Sequence, residues 1–291
     1  MTIKKYFASA DTTISNAFDQ SLLSANTATG SNMGQADILE TFQVYGQVSS
    51  SSGLSSELSR ILVRFDTTAI ASDRSAGTIP ASSNVSFYLK LYNAAHPDTI
   101  PENYTMAVQA VSQSWQEGFG LDMINYTDKT YGLTGSTWSY RGTTGAWAVA
   151  GGKYHQTPIY DVTMTTGLEN INLDVTTLVE QWLAGTKDND GFGISLSSSY
   201  EQETKSYYTK KFFARGSEFY FKRPVLEARW DNTIQDDRKS FFLSSSLAPA
   251  EDNLNTIYLY NNVRGRLRNI PSIGTDSIYV SIYSGSSDNT V

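Results

Sequence analysis

The sequence predicts an all-β protein: a jelly-roll β-sandwich with one short crossover helix, followed by a small β-rich C-terminal segment. Three observations predict it. Aromatic residues make up 12% of the 291 residues (18 Tyr, 13 Phe, 5 Trp), and Ser, Thr and Asn fill the spaces between apolar positions, a composition suited to pleated, half-buried surfaces. Short runs alternate with the two-residue period of a strand that has one buried face. A single segment carries a clear helical period, which points to a sandwich crossed by a helix rather than to an α/β fold.

The alternating runs come in order. In residues 60–65 (RILVRF), Ile61, Val63 and Phe65 share a face. Residues 84–92 (NVSFYLKLY) turn Val85, Phe87, Leu89 and Leu91 one way and Tyr88, Lys90 and Tyr92 the other. Residues 106–111, 193–196, 218–221 and 225–230 follow as strands, with turn signals at 73–80 and 95–98. The helix is written between them. Asp174 is placed to cap it, Val175, Leu178, Val179, Trp182 and Leu183 form one apolar stripe, and Gly185 is placed to end it.

Residues 47–56 (QVSSSSGLSS) read as a Ser-rich loop, and 122–156 as a long Gly-, Thr- and Tyr-rich surface excursion. These boundaries give a sandwich domain over 1–232, a linker over 233–238 and a β-rich segment over 239–291. The last segment carries strand signals around 240–243, 256–260 and 277–283, too few to be stable alone. It is expected to pair with the first domain or a neighbour, or to begin a further domain.

Composition limits the function classes. Lys+Arg is 22 and Asp+Glu is 29, for a net charge of −7, without the basic stripe of a nucleic-acid binder. There is no Cys, which removes thiol nucleophiles, disulfide frameworks and thiolate zinc sites, and two His cannot supply a multi-His centre. The start, MTIKKYFASADTT, has two lysines with no apolar run behind them, so no secretory signal and no membrane association are expected.

Catalytic motifs are sparse. G-x-S-x-G does not occur, and Gly191-Phe192-Gly193 enters a strand instead of opening a helix, which fails the dinucleotide pattern. His96 and His155 sit in turn-like contexts near Pro97 and Pro158. Glu117, Asp122, Asp128 and Asp161 could by type form a glycosidase pair, but 29 acids make accidental pairs easy, and no enzyme is expected. Two weaker patterns remain. Asp188, Asn189 and Asp190 before Gly191 offer hard oxygen ligands for calcium without the EF-hand spacing; the alternative is a helix-to-strand turn, and no other cofactor is expected. Trp138, Tyr140, Trp147 and Tyr154 lie in Gly/Thr-rich sequence, either as exposed planes for a glycan or protein interface, or as a lid folded back onto the sandwich.

Several segments in order resemble a known family: Ala10-Asp11-Thr12-Thr13-Ile14, Asn32-Met33-Gly34, the strand of 60–66 ending in Phe65-Asp66, Trp115-Gln116-Glu117-Gly118, the helix of 173–185, Asn189-Asp190-Gly191 and Arg223-Pro224-Val225-Leu226. Together they resemble the DNRLRE-type jelly-roll domain over about residues 5–232. Residues 3–6, 38–40, 57–60 and 117–123 carry a closer likeness to its form in tailed bacteriophages, notably marine ones related to the T4-like group. The resemblance implies a jelly roll that is a virion component of head, neck or tail, and in some members a carbohydrate-binding module. It implies no catalytic residue. The function expected is therefore that of a structural virion protein in contact with copies of itself and other virion proteins. The alternatives are a carbohydrate-binding module for a host-surface polysaccharide and a polysaccharide-acting enzyme.

Overall fold

The computed structural model describes residues 2–18, 31–51, 53–95, 100–121, 135–143, 145–232 and 245–268. The chain divides into two compact units, one through Asn232 and one from Thr233.

The first unit is the all-β sandwich of jelly-roll type that the patterning predicts. Its strands are β1 (Thr2–Ser15), β2 (Ile38–Ser50), β3 (Gly53–Phe65), β4 (Ser86–Leu91), β5 (Tyr104–Val111), β6 (Tyr154–Met164), β7 (Ile171–Asp174), β8 (Phe192–Leu196), β9 (Tyr207–Phe213) and β10 (Val225–Trp230). They form one ladder in the order β6-β5-β8-β3-β1-β10-β4-β7, with β2 pairing both β3 and β9, and all pairings are antiparallel.

β1 joins the two layers. Residues 2–7 pair with β10, residues 8–15 pair with β3, and Ser9 is an extra residue between Ala8 opposite Phe65 and Ala10 opposite Arg64. A bulge of this kind bends a strand and increases its twist, which lets one strand leave one layer and enter the other. The main core lies between the layers and draws Tyr6, Phe65, Phe87, Leu89, Val108, Ile171, Phe192, Ile194 and Leu226 from both.

Among the described residues three α-helices flank the strands. α2 (Thr176–Leu183) follows the apolar stripe, burying Leu178, Val179 and Trp182. Asp174 accepts hydrogen bonds from the Thr176 backbone N–H (2.9 Å) and hydroxyl (2.6 Å), and Gly185 at φ +68° ends the helix. α1 (Thr67–Ser75) and α3 (Ser198–Glu201) are additional to the one helix expected. α1 buries only Ile70, so it has almost no apolar stripe to read; Asp66 caps it, and Arg74 fastens it to Glu180 of α2 through two hydrogen bonds of 2.9 and 2.6 Å.

Other expectations are corrected. Residues 47–51 and 53–56 form the tip of the β2–β3 hairpin, with Ser49 opposite Leu54 and Ser50 opposite Gly53, because ladder hydrogen bonds hold polar serines in extended chain as well as apolar residues. Residues 218–221 are not a strand but lead into a 3-10 turn at Tyr220–Lys222. In the second unit, 256–260 lies outside any strand, and a small hairpin forms from β11 (Asn261–Val263) and β12 (Arg266–Arg268). The strand signals at 240–243 and 277–283, the linker at 233–238, His96 and residues 122–134 lie outside the described residues. Among the described residues no helix is long and apolar enough to cross a membrane.

Phe192 tests the packing. It is fully buried and meets Trp182 edge-on at 4.9 Å and Phe65 at 6.0 Å between ring centroids. Phe192→Ala is expected to lower the unfolding free energy by about 3–5 kcal/mol, read from the urea midpoint at unchanged m-value.

Candidate contact surfaces

Residues 112–121, 135–143 and 145–153 cross the outer face of the layer built from β1, β3, β8 and β5. Trp115, Trp138 and Trp147 land there on Ala10, Ile14, Leu62 and Val111 and form a second apolar cluster. The indole N–H of Trp115 donates to the Asp190 carbonyl (2.7 Å) and that of Trp147 to the Thr137 carbonyl (2.9 Å), so both buried donors are paired. The Arg60 guanidinium lies 5.2 Å from the Trp138 ring and 5.8 Å from that of Tyr154, and Arg64 lies 5.2 Å from Trp115.

Of the two alternatives for Trp138 and Trp147, the structure takes the lid folded back onto the sandwich and not the exposed planes. The two residues are 8% and 5% exposed, because strand β3 has a second apolar face that the lid covers. The signal was present: Ile61-Leu62-Val63 is an unbroken apolar run, as in a strand buried on both sides. Tyr154 is half-buried, packed over Gly193 with its hydroxyl donating to the Gly151 carbonyl (2.8 Å). Tyr140 is 46% exposed.

Two polar knots fix the lid. Asn32, fully buried, donates through its amide nitrogen to the carbonyls of Glu117 (2.7 Å) and Ser136 (2.8 Å), and accepts from the N–H groups of Gly34 (3.2 Å) and Gly120 (2.9 Å). A Cβ on Gly118, which sits at φ +83°, would run into the Asn32 side chain. Beside it, Arg215 grips Glu117 with two hydrogen bonds (2.9 and 2.7 Å), the Asp11 N–H donates to the same carboxylate (2.9 Å), and the Arg215 N–H donates to the Asp11 carboxylate (2.5 Å). Burial pushes the Asp11 carboxyl up to about 7, against the lowering pull of the Arg215 N–H and with the Glu117 charge adding to the rise.

The turn at Asp188, Asn189 and Asp190 is occupied by structural work. The Asn189 amide donates to the Phe65 carbonyl (2.8 Å) and reaches the Thr67 hydroxyl (3.3 Å), tying the end of β3 to the entry of β8. The Asp190 carboxyl is shifted upward, first by burial and then by Asp188. Among the described residues no group of three or more His, Asp or Glu side chains is arranged to hold a metal ion. His155 lies on β6, its pKa lowered by burial and by Lys187.

Among the described residues the most exposed run of aromatics is one that the alternation misassigned to a strand. After β9 the chain turns at Ala214, and Phe219, Tyr220 and Phe221 stand out 51%, 50% and 82% exposed. Several contacts hold the ledge: Arg223 donates to the Ser217 carbonyl (2.8 Å), Tyr220 packs on Phe7 at 4.7 Å, and Phe219 packs on Phe213 at 5.4 Å. Lys222 lies over Phe213 (4.8 Å) and Phe219 (5.3 Å), and Arg223 over Tyr220 (5.4 Å). The readable signal was Phe219-Tyr220-Phe221, bulky without alternation, followed by Lys222-Arg223-Pro224.

No known family model matches the chain, and no curated protein matches it.

Two outcomes follow from the lid. Trp138→Ala is expected to cost about 3–5 kcal/mol of stability in urea unfolding, as a core deletion does and an exposed stacking residue would not. The second concerns pH. The folded Asp11 carboxyl keeps its proton up to about pH 7, whereas the unfolded one releases it near 3.8. The folded state thus binds more protons between these values, and this group's contribution to stability falls as pH rises from about 4 to 7. Asp11→Asn, which keeps an acceptor for the Arg215 N–H, is expected to flatten that fall when urea midpoints are compared at pH 5 and pH 7.5.

Proposed function

We propose that the chain is a structural component of a tailed-phage particle and acts through contacts with copies of itself and with other particle proteins. The observation that carries this reading is the ledge of Phe219, Tyr220 and Phe221. A preformed aromatic surface buries large area at little entropic cost, and aromatic residues with Arg are what protein interfaces concentrate at their centres. Lys222 and Arg223 make the ledge locally cationic on a chain of net charge −7, which complements the acidic remainder of a second copy. In the second unit Leu247, Leu254 and Leu259 are 96%, 68% and 50% exposed, further apolar surface for a partner to cover. The ordered likeness to the phage form of the DNRLRE-type domain supports a particle as the setting.

The reading predicts that the protein co-sediments with washed particles at fixed stoichiometry. Phe221→Ser, at the most exposed position of the ledge, is expected to leave the melting temperature unchanged and to reduce incorporation severalfold. Absence from washed particles would refute the reading.

A further inference from the structure

Lys210 of β9 carries its side-chain nitrogen into the sandwich at 1% exposure and forms no ion pair among the described residues. Nζ donates instead to the side-chain oxygen of Asn93 (2.6 Å) and to the carbonyls of Gly167 and Glu169 (2.8 Å each). Asn93 follows β4 and bridges to Phe212 of β9, so strand pairing brings the amide and the amine together. The Phe212 ring lies 5.1 Å from Nζ. Burial pulls the Lys210 amine down to about 8, against the raising effect of the Glu169 charge. A share of the side chains is therefore uncharged, and nucleophilic, near neutral pH.

The amide of Asn93 is within reach of that amine. Oδ1 lies 2.6 Å from Nζ and a C=O bond is about 1.23 Å long, so the amide carbon is no further than about 4 Å from the nitrogen. Attack begins from about 3–3.5 Å. The ammonium uses its three N–H groups on Asn93, Gly167 and Glu169. An amine that has lost the proton facing Asn93 keeps the other two bonds and turns its lone pair toward the amide. The carboxylate whose charge acts on this site is that of Glu169. Its Oε1 accepts from the Thr166 N–H (2.6 Å) and hydroxyl (3.0 Å), while Oε2 is buried without a hydrogen-bond partner among the described residues, an open acceptor for a proton. Burial also keeps out water, the competing nucleophile.

We propose that Lys210 and Asn93 join in an isopeptide bond, formed by the folded chain without another reactant. Nζ of the free amine bonds to Cγ of Asn93, and the C=O electron pair moves onto Oδ1. A proton passes from Nζ through the Glu169 carboxylate to Nδ2. The carbonyl re-forms as the Cγ–Nδ2 bond breaks, and Nδ2 leaves with three protons as ammonia. Nothing is oxidised or reduced. The link closes a loop between residues 117 apart in sequence and fastens β9, whose ladder partner is β2, to the end of β4. It supplies a covalent tie in a chain that has no cysteine for a disulfide. The inference does not depend on the particle reading, because its readout is the mass of the chain itself.

The test is intact-mass spectrometry of the purified full chain after incubation at pH 7 and pH 9, followed by tryptic mapping. The expected mass is that of the sequence less one ammonia. The expected map contains one peptide that joins the Asn93 and Lys210 segments, uncleaved after Lys210. Lys210→Arg and Asn93→Ala are each expected to restore the sequence mass, and Glu169→Gln to slow formation of the link about a hundredfold. The unaltered chain gives a readable result even where a variant fails to fold. Three results would each overturn the proposal: the full sequence mass after incubation at pH 9, loss of ammonia with the two segments unlinked (as from a succinimide), or a link that forms as fast in Glu169→Gln.

Discussion

The passage of β1 from one layer to the other is the constraint on which the remaining structure depends. Before the extra residue Ser9, Tyr6 and Ala8 point into the main core; after it, Ala10 and Ile14 point into the second cluster beneath the lid. One strand thus seeds both apolar clusters, and its position relative to β3 and β10 sets which face each receives. Because side chains alternate along a strand, a slip of one residue would exchange Tyr6 for Lys5 and Ile14 for Thr13 across these boundaries. Small residues on either side of the bulge, Ala8 and Ala10, let the chain bend where layers meet without a bulky group at the corner.

The second half of β1 also explains why charged groups are buried. Asp11 points away from Ala10 and Ile14, toward Glu117 and Arg215, and the Arg215 N–H offsets only part of its cost of burial. Removing one member of such a set leaves an uncompensated group, so the network acts less as a source of stability than as a condition on geometry. Together with Asn32, which makes four hydrogen bonds among three chain segments, it specifies one position for the turn at 117–120 and hence for the lid. Lys210 plays the same part at the other end, its ammonium donating to Asn93, Gly167 and Glu169 while only 1% exposed.

Legibility in the sequence follows burial. β4, β5, β8, β10, the second half of β3 and α2 were readable because each packs one regular face on the core. β1 was not, since its faces change role at Ser9 and its buried positions include Asp11, Thr12 and Thr13, which no hydrophobic count registers. β6 was hidden because it is an edge strand whose outward residues, Gln156, Ile159 and Asp161, meet solvent or line a polar groove on the outer face of β5, β6 and β8. For the surfaces the obstacle is different. Trp138 and Trp147 occur in Gly- and Thr-rich sequence that looks open, and only the outward apolar face of Leu62 tells where they go. The groove depends on Ala107 standing between Asp161 and Ser195, residues far apart in sequence, so no local pattern announces it.

The lid therefore decides what the outer face can do. Where it lies, three tryptophans and Leu62 convert sheet surface into core, and Arg60 caps the edge of that core by resting on Trp138 and Tyr154. Past Arg60, Ile159 is the large apolar side chain that stands exposed among the described residues lining the groove, and the strand face there is mostly polar. The same guanidinium closes the apolar cluster on one side and, through Glu201, forms the wall of the groove on the other. Its charge is spent on structure, which is why the open surface beyond it is left to the carboxylate of Asp161 and the hydroxyls and amides around it. The ledge of Phe219, Tyr220 and Phe221 is the chemical opposite, aromatic and cationic. A single sandwich thus presents two outer surfaces of opposite chemistry, one polar and carboxylate-bearing, the other aromatic and cationic.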